Sequence, residues 1–302
     1  MAPAYQPVTE QAISIECERE ALVGILHEPA SPAELGVVVI VGGPQYRVGS
    51  HRQFVLLART LAAAGFAVLR FDCRGMGDSS GERRSFEAAS KDIRSAIDVL
   101  QRRVPAIRQV ALWGLCDGAS AALLYVEDTG DDRVRALCLV NPWVRSENSL
   151  ARTHVRHYYL QRVKQQEFWA KLLRGEVGSA AFSGLMRNLW RRGRAASEPA
   201  EPRAFQSRMA AAWRAFDGDV MLALSGNDLT AKEFLEFSAR STEWSGLLVS
   251  SPRLRRVEFA GADHTLSASN ARLGLENYVA EWLHGLRVPL EPLVEDTSKA
   301  IG

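Results

Sequence analysis

Four short apolar runs that alternate with helical patterns constrain the fold of this 302-residue chain more than any other feature. Each run is apolar or β-branched almost throughout, which is typical of strands that are covered on both faces of a parallel sheet. The runs are Val37–Val41, Ala67–Phe71, Gln109–Trp113 and Ala136–Val140. Helical patterns lie between them at Gln53–Ala64 and Phe86–Arg103. This alternation predicts an α/β fold with a mostly parallel central sheet and helices on both faces.

Further strand patterns lie near both ends of the chain. A hairpin is predicted from Ala12–Cys17 and Ala21–His27, and two late strands from Val220–Leu224 and Arg256–Phe259. No strand pattern occurs between Pro142 and the first of these late strands. We therefore expect a core from residues 1–143 and 217–287, a helical cap insertion at 144–216 and a flexible tail at 288–302.

Composition excludes several classes of protein. With 47% hydrophobic and 24% charged residues, the chain has the make-up of a soluble globular protein and not of a disordered, collagen-like or coiled-coil one. The longest apolar run, Leu35–Val41, is far shorter than the roughly 20 residues of a membrane span, and no secretory signal is visible. The four cysteines form no CxxC pair, so we expect a cytoplasmic protein with neither a disulfide framework nor a metal site.

The strongest local motif is Gly114-Leu115-Cys116-Asp117-Gly118, which directly follows a predicted strand and directly precedes a helical pattern. A G-x-nucleophile-x-G turn at such a junction holds its central residue above the sheet in a strained conformation, and the flanking glycines remove side chains that would clash. Cys116 is therefore the candidate nucleophile. The alternative is a buried structural cysteine between two turn glycines.

Together with this turn, several other segments make the chain resemble the α/β-hydrolase superfamily, here with a cysteine nucleophile. Gly42-Gly43-Pro44-Gln45 stands where that superfamily has its oxyanion loop, and FDCRGMGDSSG at Phe71–Gly81 is similar to its D-x-R-G-x-G-x-S segment. More narrowly, GGPQYRVGSHRQF at Gly42–Phe54, GLCDG and GADHTLS resemble hydrolase 1 of the exosortase A systems found in exopolysaccharide gene clusters. The resemblance implies the fold and a catalytic triad.

A cysteine nucleophile needs a base, and the base needs a group that orients it. His264 is the best placed of six histidines, because it lies in a small-residue loop between a predicted strand and a helix. The resemblance places the acid at Asp228, after the strand at Val220–Leu224; this residue could also cap the following helix. Asp263 is the neighbour of His264, and adjacent side chains usually point apart. The order Cys116, Asp228, His264 is the one this fold implies.

The oxyanion hole is expected to use the backbone N–H of Asp117 and a second N–H from the loop after Val41. Pro44 has no N–H, so the second donor is Gln45, which we prefer, or Gly43. The turn that contains Arg74 is expected to be structural, with the arginine tying loops together. No cofactor is implied.

The predicted insertion is strongly basic. Between Val144 and Phe216, fourteen Lys and Arg residues face five Asp and Glu residues, a net charge of +9 in a chain of +2. Such asymmetry can steer an anionic partner to the surface. Candidate binding residues are Trp169, Trp190, Arg191, Arg192 and Arg194. The alternatives are that the aromatic residues form the core of the insertion, and that the arginines form a solvated face or pair with the acidic core.

These features favour acyl transfer on an ester or thioester, as in a thioesterase or esterase, through a Cys116 acyl-enzyme. The donor could be a coenzyme A thioester, an acyl group on an acidic carrier protein, or an anionic saccharide ester. Nucleic acid is not expected as a partner, because the sequence contains no recognised binding module. Alternatives are an acyltransferase that passes the acyl group to an amine or alcohol in polysaccharide or natural-product biosynthesis, and a non-catalytic docking protein.

Overall fold

The computed structural model describes residues 8–43, 45–145, 203–249 and 252–286. The chain divides into two compact units, one formed by Met1–Val144 with Phe205–Gly302 and the other by Arg145–Ala204. The described residues belong almost entirely to the first unit. The fold and the candidate site are accordingly those of this unit.

An eight-stranded sheet forms the centre of this unit, with the strand order β1-β2-β4-β3-β5-β6-β7-β8. From β4 to β8 all neighbouring strands are parallel, whereas the opening hairpin β1–β2 is antiparallel and pairs with β4 in the antiparallel sense. The strands are β1 (Val8–Cys17), β2 (Glu20–Pro29), β3 (Leu35–Ile40), β4 (Val68–Phe71), β5 (Gln109–Leu115), β6 (Val134–Val140), β7 (Asp219–Ser225) and β8 (Leu254–Phe259).

Six α-helices among the described residues cover both faces of the sheet. They are α1 (Gln53–Ala63), α2 (Ser90–Arg103), α3 (Asp117–Thr129), α4 (Phe205–Ala215), α5 (Leu229–Arg240) and α6 (Ser269–Gly285). Buried side chains of α2 to α5 form one apolar cluster with the sheet, and those of α1 and α6 form a second cluster. The predicted α/β fold with helices on both faces is confirmed.

The predicted strands agree with the structure to within a few residues. The central strands β3 and β4 are buried along their whole length, and β5 and β6 are buried at all but one position, so their continuous apolar sequences match burial on both faces. The predicted helix Phe86–Arg103 is divided into a 3₁₀ turn at Phe86–Ala88 and α2. None of the described helices is long and apolar enough to cross a membrane.

Helix α4 lies inside the range that the sequence analysis gave to the insertion, yet it belongs to the same compact unit as the sheet. Its Met209 and Trp213 are buried in the cluster formed by α2 to α5. Trp213 packs edge-on against Trp244, with ring centroids 5.8 Å apart. The core therefore resumes at Phe205, because the apolar face of α4 completes this side of the sheet.

Candidate active site

Cys116 lies in a sharp turn between β5 and α3. Its backbone has φ 61° and ψ −125°, a conformation that is rare for a residue with a side chain. The two glycines leave no room for larger residues: a Cβ on Gly114 would lie 2.3 Å from the carbonyl oxygen of Gly118, and one on Gly118 would lie 2.5 Å from that of Ile40. The turn thus holds a partly exposed Cys116 at the N-terminal end of α3.

Asp228 and His264 meet at the same edge of the sheet, although they follow different strands. The imidazole Nδ1 of His264 donates a hydrogen bond to Oδ2 of Asp228 at 2.9 Å. The acid is almost buried, with 6% of its side chain exposed, whereas 33% of the His264 side chain is exposed. This arrangement leaves Nε2 of the imidazole available to the nucleophile.

Asp228 is also the N-cap residue of helix α5. Its carboxylate accepts hydrogen bonds from the backbone N–H groups of Thr230 at 3.1 Å and Ala231 at 3.0 Å. Burial alone would raise the pKa of this carboxyl, but the hydrogen bond from His264 and the two backbone donors outweigh burial and hold the pKa below its ordinary value. Asp228 is therefore an ionised acid that caps a helix and orients a histidine at once.

The imidazole of His264 interacts with both other residues of the predicted triad. The hydrogen bond with Asp228 and the nearby Cys116 side chain raise the pKa of His264 from about 6.5 to about 10, although partial burial opposes this shift. The structure thus brings together the three residues that the sequence nominated.

Asp263 makes different contacts from Asp228. It accepts hydrogen bonds from the backbone N–H of Ser267 at 2.8 Å and from the hydroxyl of the same residue. These two bonds lower the pKa of Asp263. Its carboxylate therefore stabilises the turn that follows His264, whereas the imidazole ring is hydrogen-bonded to Asp228.

The expected oxyanion donors lie around the start of α3. The carboxyl of Asp117 packs against Gly42, where a Cβ would lie 2.0 Å from Oδ1. Burial raises the pKa of Asp117, and the nearby backbone N–H groups of Gly43 and Gly118 only partly offset this effect. Oδ1 of Asp117 is buried and accepts no hydrogen bond from the described residues, and the second donor stays a prediction, with Gln45 preferred to Gly43.

The loop that carries Gln45 is anchored by Asp72, a role that the sequence analysis did not identify. Asp72 is fully buried and accepts hydrogen bonds from the backbone N–H of Arg47 at 2.5 Å and from its guanidinium. Arg74, as expected, ties loops together, since it pairs with Asp92 and Glu18. The Asp72 contact spans 25 residues, and no local pattern indicates it.

A cavity of about 350 Å³ adjoins this loop. Gly42, Gly43 and Asp117 form one wall, and Phe86 and Ala121 contribute apolar surface. Arg74 and Asp92, which are already paired with each other, also line it. The cavity shares the residue after Cys116 with the candidate site, and Cys116 itself does not line it.

The candidate binding residues Trp169, Trp190, Arg191, Arg192 and Arg194 lie outside the described residues. Four arginines of the predicted basic segment are among the described residues, and two of them, Arg208 and Arg214, contact the core. Arg208 pairs with Glu127 at 2.9 Å and with Asp128, and Arg214 donates to the carbonyl oxygen of Glu243. These two arginines of the basic segment therefore form contacts within the protein. Across the described residues, no group of three or more His, Cys, Asp or Glu side chains could hold a metal ion.

The mostly parallel sheet, the strained turn at Cys116 and the acid and histidine loops at the carboxyl edge define an α/β-hydrolase. The chain belongs to the Hydrolase_4 family, whose description is serine aminopeptidase, S33, and whose model matches residues 33–213. That description names a serine enzyme, whereas a cysteine occupies the turn in this chain. Membership of this family identifies the protein as a hydrolase.

Solved structures with the same fold include several hydrolases. The Pyrococcus furiosus esterase Pf2001 is 16% identical, with a TM-score of 0.61 and coverage of 93% of this chain and 94% of that one. Dienelactone hydrolase from Anabaena variabilis is 15% identical, with a TM-score of 0.59 and coverage of 92% and 98%. Est1E from Butyrivibrio proteoclasticus, solved with ferulic acid, is 14% identical, with a TM-score of 0.58 and coverage of 91% and 99%. No curated protein matches the chain by sequence.

Proposed function

We propose that this protein is a cysteine-nucleophile acyl hydrolase that acts on an ester or thioester through an acyl group carried on Cys116. The observation that carries the proposal is the placement of Cys116, His264 and Asp228, in which the imidazole is hydrogen-bonded to the acid and lies beside the thiol. Family membership supports hydrolysis as the general activity.

The reaction follows from the contacts at these three residues. The proton of the Cys116 thiol passes to Nε2 of His264, and Sγ attacks the carbonyl carbon of the substrate as the C=O electron pair moves to oxygen. The N–H groups of Asp117 and Gln45 stabilise this oxyanion. The tetrahedral intermediate then expels the alcohol or thiol, which takes the proton from His264, and leaves a thioester on Cys116.

Deacylation reverses these roles. His264 removes a proton from water, the hydroxide attacks the Cys116 thioester, and Sγ leaves as a thiolate that His264 can reprotonate. Asp228 holds the imidazole tautomer throughout and stabilises its charged form. The hydrogen bond with Asp228, which persists in the acyl-enzyme, raises the pKa of His264 and leaves less neutral imidazole to activate water.

This weak activation of water is the reason to retain acyl transfer to an amine or alcohol as the second candidate. An acyl group that waits on Cys116 because water is poorly activated is available to a stronger nucleophile. Adding hydroxylamine or a short primary amine during turnover distinguishes the two activities. A hydrolase keeps producing mainly free acid, whereas a transferase gives amide or hydroxamate as the main product and turns over faster.

Replacement of the nucleophile tests the proposal with a panel of short-chain acyl esters and acyl thioesters. Cys116→Ala should reduce turnover by about 10⁴- to 10⁶-fold, as in other deletions of a triad nucleophile. Cys73→Ala is the matched control, because burial raises the pKa of the Cys73 thiol and keeps it protonated. If Cys116→Ala retained more than a tenth of wild-type activity, the assignment of the nucleophile would fail. A wild-type protein that turns over none of the panel would favour the non-catalytic docking protein.

The identity of the donor remains a prediction from the sequence. An acidic carrier protein or coenzyme A would fit the basic segment, but Arg191, Arg192 and Arg194 lie outside the described residues. The prediction is that reversing all three to Glu raises KM for such a donor and not for a small neutral ester. Equal effects on both substrates would remove the ground for an anionic partner.

A further inference from the structure

Asn141, the residue after strand β6, is completely buried at the edge of the sheet that carries the candidate site. Its backbone has φ 46°, in the left-handed region that asparagine tolerates better than most residues. All hydrogen-bonding groups of its side-chain amide are used. Nδ2 donates to Oγ of Ser225 at 3.0 Å and to the carbonyl oxygen of His264 at 3.1 Å, and Oδ1 accepts from the N–H of Ser225 at 2.8 Å.

These bonds join the acid and base loops. Ser225 is the last residue of β7, and its carbonyl oxygen accepts a hydrogen bond from the backbone N–H of Asp228 at 3.3 Å. The other bond holds the backbone of His264 itself. One buried amide therefore fixes the end of the strand that precedes the acid and the residue that supplies the base.

The backbone around Asn141 is also bonded to the nucleophile turn. The carbonyl oxygen of Val140 accepts from the N–H of Cys116 at 2.9 Å, and the N–H of Trp143 donates to the carbonyl oxygen of Cys116 at 3.2 Å. The hydroxyl of Ser120, on α3, donates to the carbonyl oxygen of Trp143 at 2.7 Å. Residues 140–143, which we call the β6 junction, thus contact all three loops of the predicted triad.

We propose that Asn141 is a positioning residue that sets the distance between the His264 imidazole and the Cys116 thiol; this inference rests on the proposed function of the site. The neighbouring backbone of the β6 junction is hydrogen-bonded to the nucleophile turn. The side-chain amide of Asn141 is hydrogen-bonded to the backbone of His264, so it fixes the His264 loop relative to that turn. The transfer of a proton between sulfur and nitrogen depends on their separation, and a misplacement of about 1 Å can cost about 100-fold in rate.

Two variants separate the loss of the Asn141 hydrogen bonds from the effect of an added negative charge. Asn141→Asp has nearly the same shape but cannot donate to His264 or Ser225, and Asn141→Leu removes the bonds without adding charge. We expect both to lower kcat by about 10- to 100-fold while KM changes by less than about threefold. Asn270→Asp is the control for the chemical change, because Asn270 is exposed in the first turn of α6.

A second readout does not depend on the substrate. Iodoacetamide alkylates thiolates, and peptide mapping reports its reaction with Cys116 at pH 6. At this pH we expect alkylation to be at least about fivefold slower in Asn141→Asp and Asn141→Leu than in the wild type, because a displaced imidazole takes up the thiol proton less readily. A residue that only stabilises the fold would lower the unfolding temperature and leave the alkylation rate of the folded protein unchanged.

The outcomes are distinct. Folded variants that keep wild-type kcat and wild-type alkylation would overturn the role of Asn141. If both variants fail to fold, Asn141→Ser, which keeps one hydroxyl donor, must show the same two changes to a smaller extent, and an unchanged rate there would also overturn it. If the proposed function itself is wrong, either the wild type will turn over none of the esters and thioesters, or Cys116→Ala will keep the wild-type turnover.

Discussion

The nucleophile turn and the His264 loop both bring a side chain to the carboxyl edge of the sheet, but they are held by different means. The turn is fixed by its own backbone, since Gly114 and Gly118 admit no side chain and Cys116 takes a strained conformation. The His264 loop depends on side chains that are distant in the sequence, namely Asp228 and Asn141. The nucleophile is thus held by its own turn, whereas the base is held by residues that are distant in the sequence.

Among the residues that hold the nucleophile and the base in place, the largest effect is expected from Asp228, which orients His264. Asp228→Asn keeps the shape of the side chain but favours the wrong tautomer of His264, so kcat should fall by about 10²- to 10⁴-fold. Circular dichroism should show an intact fold. If the rate were unchanged, Asp228 would be only the cap of α5 and the base would be oriented by another group.

The locally fixed half is tested by adding one methyl group. In Gly118→Ala, the new Cβ would press on the carbonyl oxygen of Ile40 at 2.5 Å, so the turn must shift and activity should fall by about 100-fold. Gly285→Ala is the control, because a Cβ there meets no atom within 4 Å. Equal activities of the two variants would show that the turn is less constrained than its geometry indicates.

The pH dependence of stability isolates the charge of the base. Because folding raises the pKa of His264 from about 6.5 to about 10, its contribution to the free energy of unfolding is fully present below pH 6.5 and is lost as the pH rises towards 10. Urea unfolding at pH 6.5 and pH 9.5 should therefore show a smaller loss of stability in His264→Gln than in the wild type. Identical losses would mean that His264 titrates with its ordinary pKa in the folded protein.

The smallest effect on kcat is expected from a change at Asp263, the residue before His264. Asp263→Asn should change kcat by less than about threefold, because its carboxylate contacts Ser267 and exposed hydrogen bonds of this kind contribute little. Steady-state kinetics beside Asp228→Asn provide the comparison. A ranking in which Asp263→Asn is the more damaged variant would reassign the acid.

The features that the sequence predicts well are those encoded within a few residues. Continuous apolar runs identify β3 to β6 because both faces of these strands are covered, and the glycine spacing around Cys116 identifies the turn. Asp228 and His264 follow from their places after late strands in a fold that the sequence resembles. Helix α4 was assigned to the insertion because an amphipathic helix does not show which surface it will cover.

Asn141 and Asp72 could not be predicted in the same way. Their importance comes from partners 84 and 123 residues away for Asn141 and 25 residues away for Asp72, and a single buried asparagine or aspartate leaves no periodic pattern. Asn141 directly follows the strand run Ala136–Val140, and a polar residue at the carboxyl end of a central strand is the one local signal that could have drawn attention to it.

The most direct test of the account is to find the acyl group. Wild-type protein is mixed with a short-chain acyl thioester, quenched in acid during turnover and analysed by peptide mass mapping. The account predicts one acyl group per chain on the peptide that contains Cys116, labile to hydroxylamine, and a longer-lived adduct in Asp228→Asn if water attack is slowed more than acylation. An acyl group on any other residue, or turnover with no adduct in wild type or variant, would contradict it.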